Sequence, residues 1–529
     1  MENERPHSRE NAKVAKAAGI VGLATMLSRV FGFIRDMVVA GFFGAGIVTD
    51  AFFVAFRIPN LLRRLLGEGS LTVSFVPVFT EYLNRKSREE AFELASIAFT
   101  LLSVILVAVS IAGVVFSPLI VTAMAPGFTR VPVQYELAVF LNRLMFPYIF
   151  FISLVALCMG ILNSLRHFAA PALSPVVLNL SMILATLTLR DFFREPILAL
   201  VVGVMAGGVL QLMMQWPFLV RLGVRLKPDF RFRHPGIRRI GLLMLPAVFG
   251  AAVYQINVFI GTILASLLPG GSVSYLYYAD RIVELPLGVF AIAVGTATLP
   301  SFSEQISKGN FEEFKKTIAF SLRLILFITI PAMIALIALR EPIISVLFQR
   351  GNFDARSTVL TAQALLCYSV GLWAFSVIRV IVSAFYALQD TRNPMKAAIA
   401  ALVVNVACSV ALMFPLQHGG LALATSIASA VNVAILAVIL KRKIGPFVDG
   451  DFYRSVLKTI AAATAMWGVI VLVDLLFPWK TGGAFSARLS FLVAAIAAGT
   501  VTFFSVCAMI RIPEMVTLMR ILKRKFARS

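Results

Sequence analysis

Charge is scarce in this 529-residue chain: Asp, Glu, Lys and Arg together make up 14% of it, against about 25% in soluble domains. Hydrophobic residues reach 59% and the mean hydropathy is +0.90. A soluble protein this apolar could not cover its surface with polar groups. The three or four soluble domains that the length would allow are thereby excluded, and the solvent is lipid. Cysteine is also rare. Cys158, Cys367, Cys408 and Cys507 all sit in apolar stretches and read as small core hydrophobes, not as disulfides or metal ligands. The four histidines (His7, His167, His234, His418) are far apart in tails or loops, without metal-ligand spacing. No G-x-x-x-x-G-K-[ST] loop, nucleophile elbow or H-E-x-x-H is present. ATP hydrolysis, a bound metal, a cofactor and an enzymatic role are therefore not expected. The polar start, Met1–Lys16, and the lack of a small-residue cleavage pattern after the first apolar stretch argue against a signal peptide.

Long apolar runs fill the rest. With about 20 residues needed to cross the hydrocarbon layer, fourteen candidate spans lie near 17–43, 49–80, 92–125, 136–162, 171–189, 197–220, 241–268, 273–303, 316–348, 358–388, 395–414, 421–440, 455–477 and 488–510. With the N-terminus cytoplasmic, 31 Lys and Arg fall on the cytoplasmic side and 8 on the other. The positive-inside rule then puts both termini in the cytoplasm. It also accounts for most of the net charge of +22 without nucleic acid, which is not an expected partner.

The chain repeats itself. Val76-Pro77-Val78-Phe79-Thr80-Glu81 resembles Leu299-Pro300-Ser301-Phe302-Ser303-Glu304 at an offset of 223, which also relates Pro171 to Pro394 and Leu198-Ala199-Leu200 to Leu421-Ala422-Leu423. Ala55-Phe56-Arg57-Ile58 matches Ala279-Asp280-Arg281-Ile282 at 224. Spans 1–6 read as duplicated in spans 7–12. An even number of spans per copy makes the repeats parallel, an arrangement in which transporters place substrate at the repeat interface near the midplane. The expected fold is an all-α polytopic membrane protein of about fourteen transmembrane helices, two parallel six-helix repeats plus two C-terminal helices. Its parts are a cytoplasmic tail (1–16), an N-lobe (17–220), a basic cytoplasmic loop (221–240), a C-lobe (241–440), the last two spans (441–510) and a basic cytoplasmic tail (511–529).

Nine arginines lie inside spans. An arginine at a span centre costs about 2.5–3.5 kcal/mol, so the six clustered ones (Arg29, Arg35, Arg57, Arg63, Arg64, Arg281) would cost on the order of 15 kcal/mol without compensation. Arg57, Asn60 and Arg64 share one helical face, with Glu68 four residues further on; Ser28 and Arg35, Arg29 and Asp36, and Ser274 and Arg281 each stand seven apart. Gly32 and Pro59 allow bends around a cavity. The in-span acids Asp36, Glu68, Asp280 and Glu284 are four against six, with Asp50 near the outer mouth. An excess of guanidinium suits a phosphate or pyrophosphate, gripped bidentately. The competing reading makes these groups structural ion pairs, with Arg63 and Arg64 reaching to an interface. For Arg143, Arg323 and Arg379, isolated near span ends, that structural reading is preferred.

Ser28-Arg29-Val30-Phe31-Gly32-Phe33-Ile34-Arg35-Asp36 resembles the signature of the MviN/MurJ family, as do Thr49-Asp50-Ala51-Phe52-Phe53, Ile58-Pro59-Asn60-Leu61-Leu62-Arg63-Arg64 and Gly271-Ser272-Val273-Ser274 through Asp280-Arg281. The similarity runs over roughly residues 17–440. The resemblance implies a lipid II flippase of the multidrug/oligosaccharidyl-lipid/polysaccharide exporter superfamily, in the bacterial cytoplasmic (inner) membrane. It implies two lobes around a central cavity, with undecaprenyl-pyrophosphate disaccharide-pentapeptide moved to the outer leaflet by alternating access. By the same resemblance Arg29, Arg35, Asp50, Arg63 and Arg281 are essential, Ser274, Asp280 and Glu284 line the cavity, and the last two spans hold the lipid tail. Together with the helical faces, the reading is that Arg29, Arg35, Arg63, Arg64, Arg281 and Ser274 bind substrate, while Asp36, Asp50, Arg57, Glu68, Asp280 and Glu284 gate or orient. Some family members bind sodium through acids in the second lobe; spans 7, 11 and 12 here hold only amides such as Asn257, Asn405 and Asn432, which leaves membrane potential, sodium and protons as alternative drives, with membrane potential a candidate in place of sodium. The rivals are a flippase for another polyprenyl-pyrophosphate glycan, a drug exporter, and a non-transporting scaffold that recruits cell-wall synthesis proteins through loop 221–239. That loop reads first as a topology determinant in contact with anionic membrane lipids.

Overall fold

A computed structural model describes residues 4–63, 71–480 and 482–515. Two compact units divide it, Met1–Gly270 and Gly271–Ser529. The first holds α1 (Glu4–Phe43), α2 (Ile47–Leu62), α3 (Thr72–Arg85), α4 (Arg88–Val115), α5 (Ser117–Met124), α6 (Pro132–Met145), α7 (Tyr148–Ser164), α8 (Ala169–Leu189), α9 (Leu198–Arg221) and α10 (Pro235–Ser266). The second holds α11 (Ser272–Pro286), a π-turn (Leu287–Ala291), α12 (Ile292–Ser307), α13 (Phe311–Ala338), α14 (Arg340–Phe348), α15 (Ala355–Ser369), α16 (Leu372–Ala387), α17 (Arg392–Ile444), α18 (Gly450–Leu476) and α19 (Phe485–Met509). The described residues form no strand.

This is an all-α multi-pass membrane protein. Among the described residues eight helices are long and apolar enough to cross a membrane, or nine if α6 and α7, bent by 40°, form one span. Part of the difference from the expected fourteen has a physical origin. α17 alone contains two of the sequence's spans: after Pro415 the chain reverses at Gln417 (φ 48°, ψ −130°). There a Cβ on Gly420 would come within 2.2 Å of the Leu412 carbonyl oxygen. The eighth span carries the π-turn Leu287–Ala291 between α11 and α12, and the described parts of the second are α2 and α3. Outward-facing Leu119, Phe414, Leu475 and Met509 are exposed on helices that only lipid would cover.

Backbone landmarks recur at the repeat offset. Ser87 caps α4 by accepting from the Glu90 amide, and Asn310 caps α13 by accepting from the Glu313 amide, each cap followed by a Glu pair. The two non-glycine corners Arg166 (φ 61°) and Gln389 (φ 55°) also stand 223 apart. α10, which opens the second sequence copy, packs within the first unit against α3 and α4.

Two tests follow from this packing. Gly127 donates its N–H to Ser266 Oγ at 3.2 Å, and a Cβ there would come within 1.9 Å of the Ser266 carbonyl oxygen. Gly127→Ala is expected to destabilise the purified protein by about 1–3 kcal/mol in thermal unfolding. Gly241→Ala, where nothing lies within 4 Å, should leave stability unchanged or higher. At the Gln389 corner, burial alone would raise the Asp390 pKa, but hydrogen bonds from Lys443 and Asn393 outweigh it and hold the carboxyl at about 2. A depressed carboxyl stabilises the fold above its unfolded value of about 4 and loses that contribution as pH falls toward 2. The stability gap between wild type and Asp390→Asn, read by thermal unfolding, is therefore expected to be full at pH 6 and to close on acidification.

Candidate functional site

The described site residues fall into two groups, one in each unit. In the first, Arg35 sits on α1 beside the almost fully buried Asp36. Its Nε and Nη2 donate to Asp36 Oδ1 at 3.1 and 2.7 Å, and its Nη1 donates to Asn179 Oδ1 of α8 at 3.0 Å. The pair is only 11% and 3% exposed. Asn179 turns its other end on α1: Nδ2 donates to the Ser28 carbonyl at 3.2 Å, and a Cβ on Gly32 would lie 3.4 Å from that nitrogen. Ser28, Gly32 and Arg35 recur along one helical face, so one amide spans two turns of α1. Gly32 thus serves a close approach between α1 and α8. Arg29, half-buried one turn before Gly32, makes no ion pair or hydrogen bond with another described residue.

On α2, Asp50 is buried in the first turn, where a carboxylate meets the positive end of the helix. Arg57 donates from Nη1 to Thr262 Oγ of α10 at 2.6 Å, a neutral partner. Arg63 ends α2 and donates from Nε to Asn60 Oδ1 at 2.8 Å. It lines a cavity of about 20 Å³ with Ser174 and Gln211, room for about one water molecule. Gln211 donates to the Ser174 carbonyl and hydroxyl, while its own Oε1 is buried without a partner among the described residues. Arg64 and Glu68 lie outside the described residues.

In the second unit Ser274 is buried in the first turn of α11, and Asp280 is exposed. Arg281 Nη1 pairs with Glu284 Oε2 at 2.7 Å, its Nη2 donates to Tyr277 Oη at 3.3 Å, and the guanidinium lies 4.9 Å from the Tyr277 ring centre. At 34% and 51% exposure this pair is open to solvent, and contributes little to stability. α11 then gives way to the π-turn Leu287–Ala291, three residues after Glu284. Irregular helix segments of this kind occur often at functional sites.

The isolated arginines behave differently. Arg323 pairs at 3.1 Å with Glu514, which is 1% exposed and also accepts from Ser455 Oγ at 2.6 Å. Arg143 and Arg379 are exposed. Sequence reasoning did not single out Asn179, Thr262 or Tyr277. Their signal, a lone polar group in an apolar span, is shared by many residues that do nothing of the kind.

Solved structures show the same architecture. An inward-facing multidrug resistance MATE family transporter of the MOP superfamily, 18% identical, aligns with a TM-score of 0.63 over 81% of this chain and 98% of its own. A lipid II flippase MurJ in an inward closed conformation, 28% identical, aligns with a TM-score of 0.79 over 93% and 98%. The fold defines a polytopic helical membrane protein. The family described as lipid II flippase MurJ matches residues 39–490. Relatives bearing the MurJ name include proteins from Vibrio cholerae, 38% identical over 80% of this chain and 82% of theirs, and from Burkholderia cenocepacia, 35% identical over 86% and 89%. The chain belongs to the MurJ family.

A double-mutant cycle tests the Arg35–Asp36 pair. Asp36→Leu leaves a buried guanidinium without its carboxylate and is expected to cost about 3–5 kcal/mol. Arg35→Leu/Asp36→Leu removes both charges and should recover most of that loss in thermal unfolding of the purified protein. Additive losses would mean that the two side chains do not stabilise one another.

Proposed function

We propose that this chain flips lipid II, the undecaprenyl-pyrophosphate-linked disaccharide-pentapeptide, from the inner to the outer leaflet of the bacterial cytoplasmic membrane. Lipid II is what the relatives are named for. The observation that carries the reading to this chain is Arg29: a half-buried cation on a membrane helix, with no described protein group to neutralise it. A cation so placed calls for water or an anionic ligand. A pyrophosphate, with two charged centres and several acceptor oxygens, is matched by several guanidinium forks.

In this reading the pyrophosphate docks on Arg29, Arg35, Arg63, Arg64 and Arg281, with Ser274 donating a hydroxyl, while the polyprenyl tail stays in lipid along the last two spans. Asp36, Asp50, Glu68, Asp280 and Glu284 orient the arginines, and Arg57 helps to gate. The lobes, 17–220 and 241–440, rock to expose a cationic central cavity to each side in turn. Substrate replaces protein partners such as Glu284, which supplies the differential affinity that alternating access requires. An inside-negative potential favours outward movement of the anion by about 2.3 kcal/mol per charge per 100 mV. Both termini face the cytoplasm, and the protein makes and breaks no covalent bond.

The test is outer-leaflet exposure of lipid II in cells whose only flippase is this protein. Wild type should expose it, and Arg281→Ala at equal membrane abundance should expose at least tenfold less. Exposure unchanged in the variant would remove Arg281 from the site. No exposure by abundant wild type would contradict the transport reading and favour a scaffold.

A further inference from the structure

Apart from these arginines, a polar recess lies in the second unit where α16 turns into α17. It has a volume of about 380 Å³ and its lining includes Asp390, Arg392, Asn393, Lys396 and Lys443. The carboxylate is already committed. Asp390 accepts from the Asn393 amide N–H at 3.1 Å, from Asn393 Nδ2 at 2.6 Å and from Lys443 Nζ at 2.6 Å. Arg392 and Lys396 have no acidic partner among the described residues and are exposed at the rim. They stand on the first turns of α17, where the helix dipole adds partial positive charge. Three cations and a helix N-terminus therefore face one consumed carboxylate.

What continues from the recess identifies the occupant. Arg392, Lys396, Ile399 and Val403 follow one another at helical spacing on one face of α17, with Met395 beside them. Met395, Ile399 and Val403 are all exposed large apolar side chains. A cationic cup that opens onto an apolar stripe fits a molecule with a phosphate at one end and hydrocarbon at the other.

The corner does not need these charges in order to form. Its counterpart in the first repeat makes the same positive-φ turn at Arg166. There Ala169, Leu173 and Val220 occupy the positions of Arg392, Lys396 and Lys443, and the nearby cations are Arg166 and Arg221.

We propose that the recess at Arg392, Lys396 and Lys443 binds the phosphate headgroup of an anionic glycerophospholipid, whose acyl chain lies along Met395, Ile399 and Val403. The site is separate from the transport arginines and does not rest on the transport reading.

The test uses the purified full-length chain and native mass spectrometry of its adducts with phosphatidylglycerol and with phosphatidylcholine. Wild type should prefer phosphatidylglycerol. Arg392→Gln/Lys396→Gln should weaken that adduct roughly tenfold to thirtyfold, at about a kcal/mol per cation, and leave phosphatidylcholine unaffected. The charge-keeping exchange Arg392→Lys/Lys396→Arg should retain the preference, which separates loss of the site from misfolding. Arg225→Gln/Arg233→Gln, which removes two exposed charges from the basic loop, is the control for bulk charge. An equal loss in that control, or no loss at the recess, would overturn the proposal. Displacement of phosphatidylglycerol by millimolar inorganic phosphate alone would also overturn it, by making free phosphate the ligand.

Discussion

A guanidinium cannot discharge its proton at any accessible pH, so an arginine inside a membrane span must find water, an acid, an oxygen dipole or a ligand. Each group described in the site is one answer to that demand. Arg35 has a carboxylate and an amide, both buried with it. Arg57 meets a threonine hydroxyl and Arg63 an asparagine carbonyl. Arg281 has an exposed glutamate and a tyrosine. Of these, Arg35–Asp36 is the buried pair and Arg281–Glu284 the solvent-exposed one.

Duplication gives this chemistry its frame. Caps at Ser87 and Asn310 and positive-φ corners at Arg166 and Gln389 recur at an offset of 223. The backbone plan has been kept while side chains diverged. Arg57 and Arg281 occupy equivalent positions, yet one is tied to a hydroxyl on α10 and the other to an acid on its own helix. Arg323 shows the contrasting use of an in-span cation. Its ion pair with the buried Glu514, itself held by Ser455, fastens the segment after α19 to α13 and α18.

Much of this was legible in the sequence because it is written in spacing. Apolar runs, the cationic bias, the repeat offset and the helical faces of the arginines are all local or periodic. Prolines and charges marked the second and eighth spans as irregular, and the eighth carries the π-turn between α11 and α12. Contacts between distant segments leave no such trace. Asn179 is 144 residues from Arg35, and Thr262 is 205 from Arg57; nothing in an isolated amide or hydroxyl says which cation it will meet. The packing of α10 on the first unit was equally hidden, since repeat arithmetic assigns that span to the second copy.

The claim that the arginines act on substrate, and do not merely pair with protein acids, is tested most directly in liposomes. Purified wild type and Arg35→Leu/Asp36→Leu would be reconstituted with labelled lipid II, and its accessibility from outside followed with time. Wild type is expected to equilibrate lipid II between leaflets, while the charge-free pair, at comparable stability, does not. Transport by that variant at the wild-type rate would contradict the account and leave Arg35 and Asp36 as a structural pair.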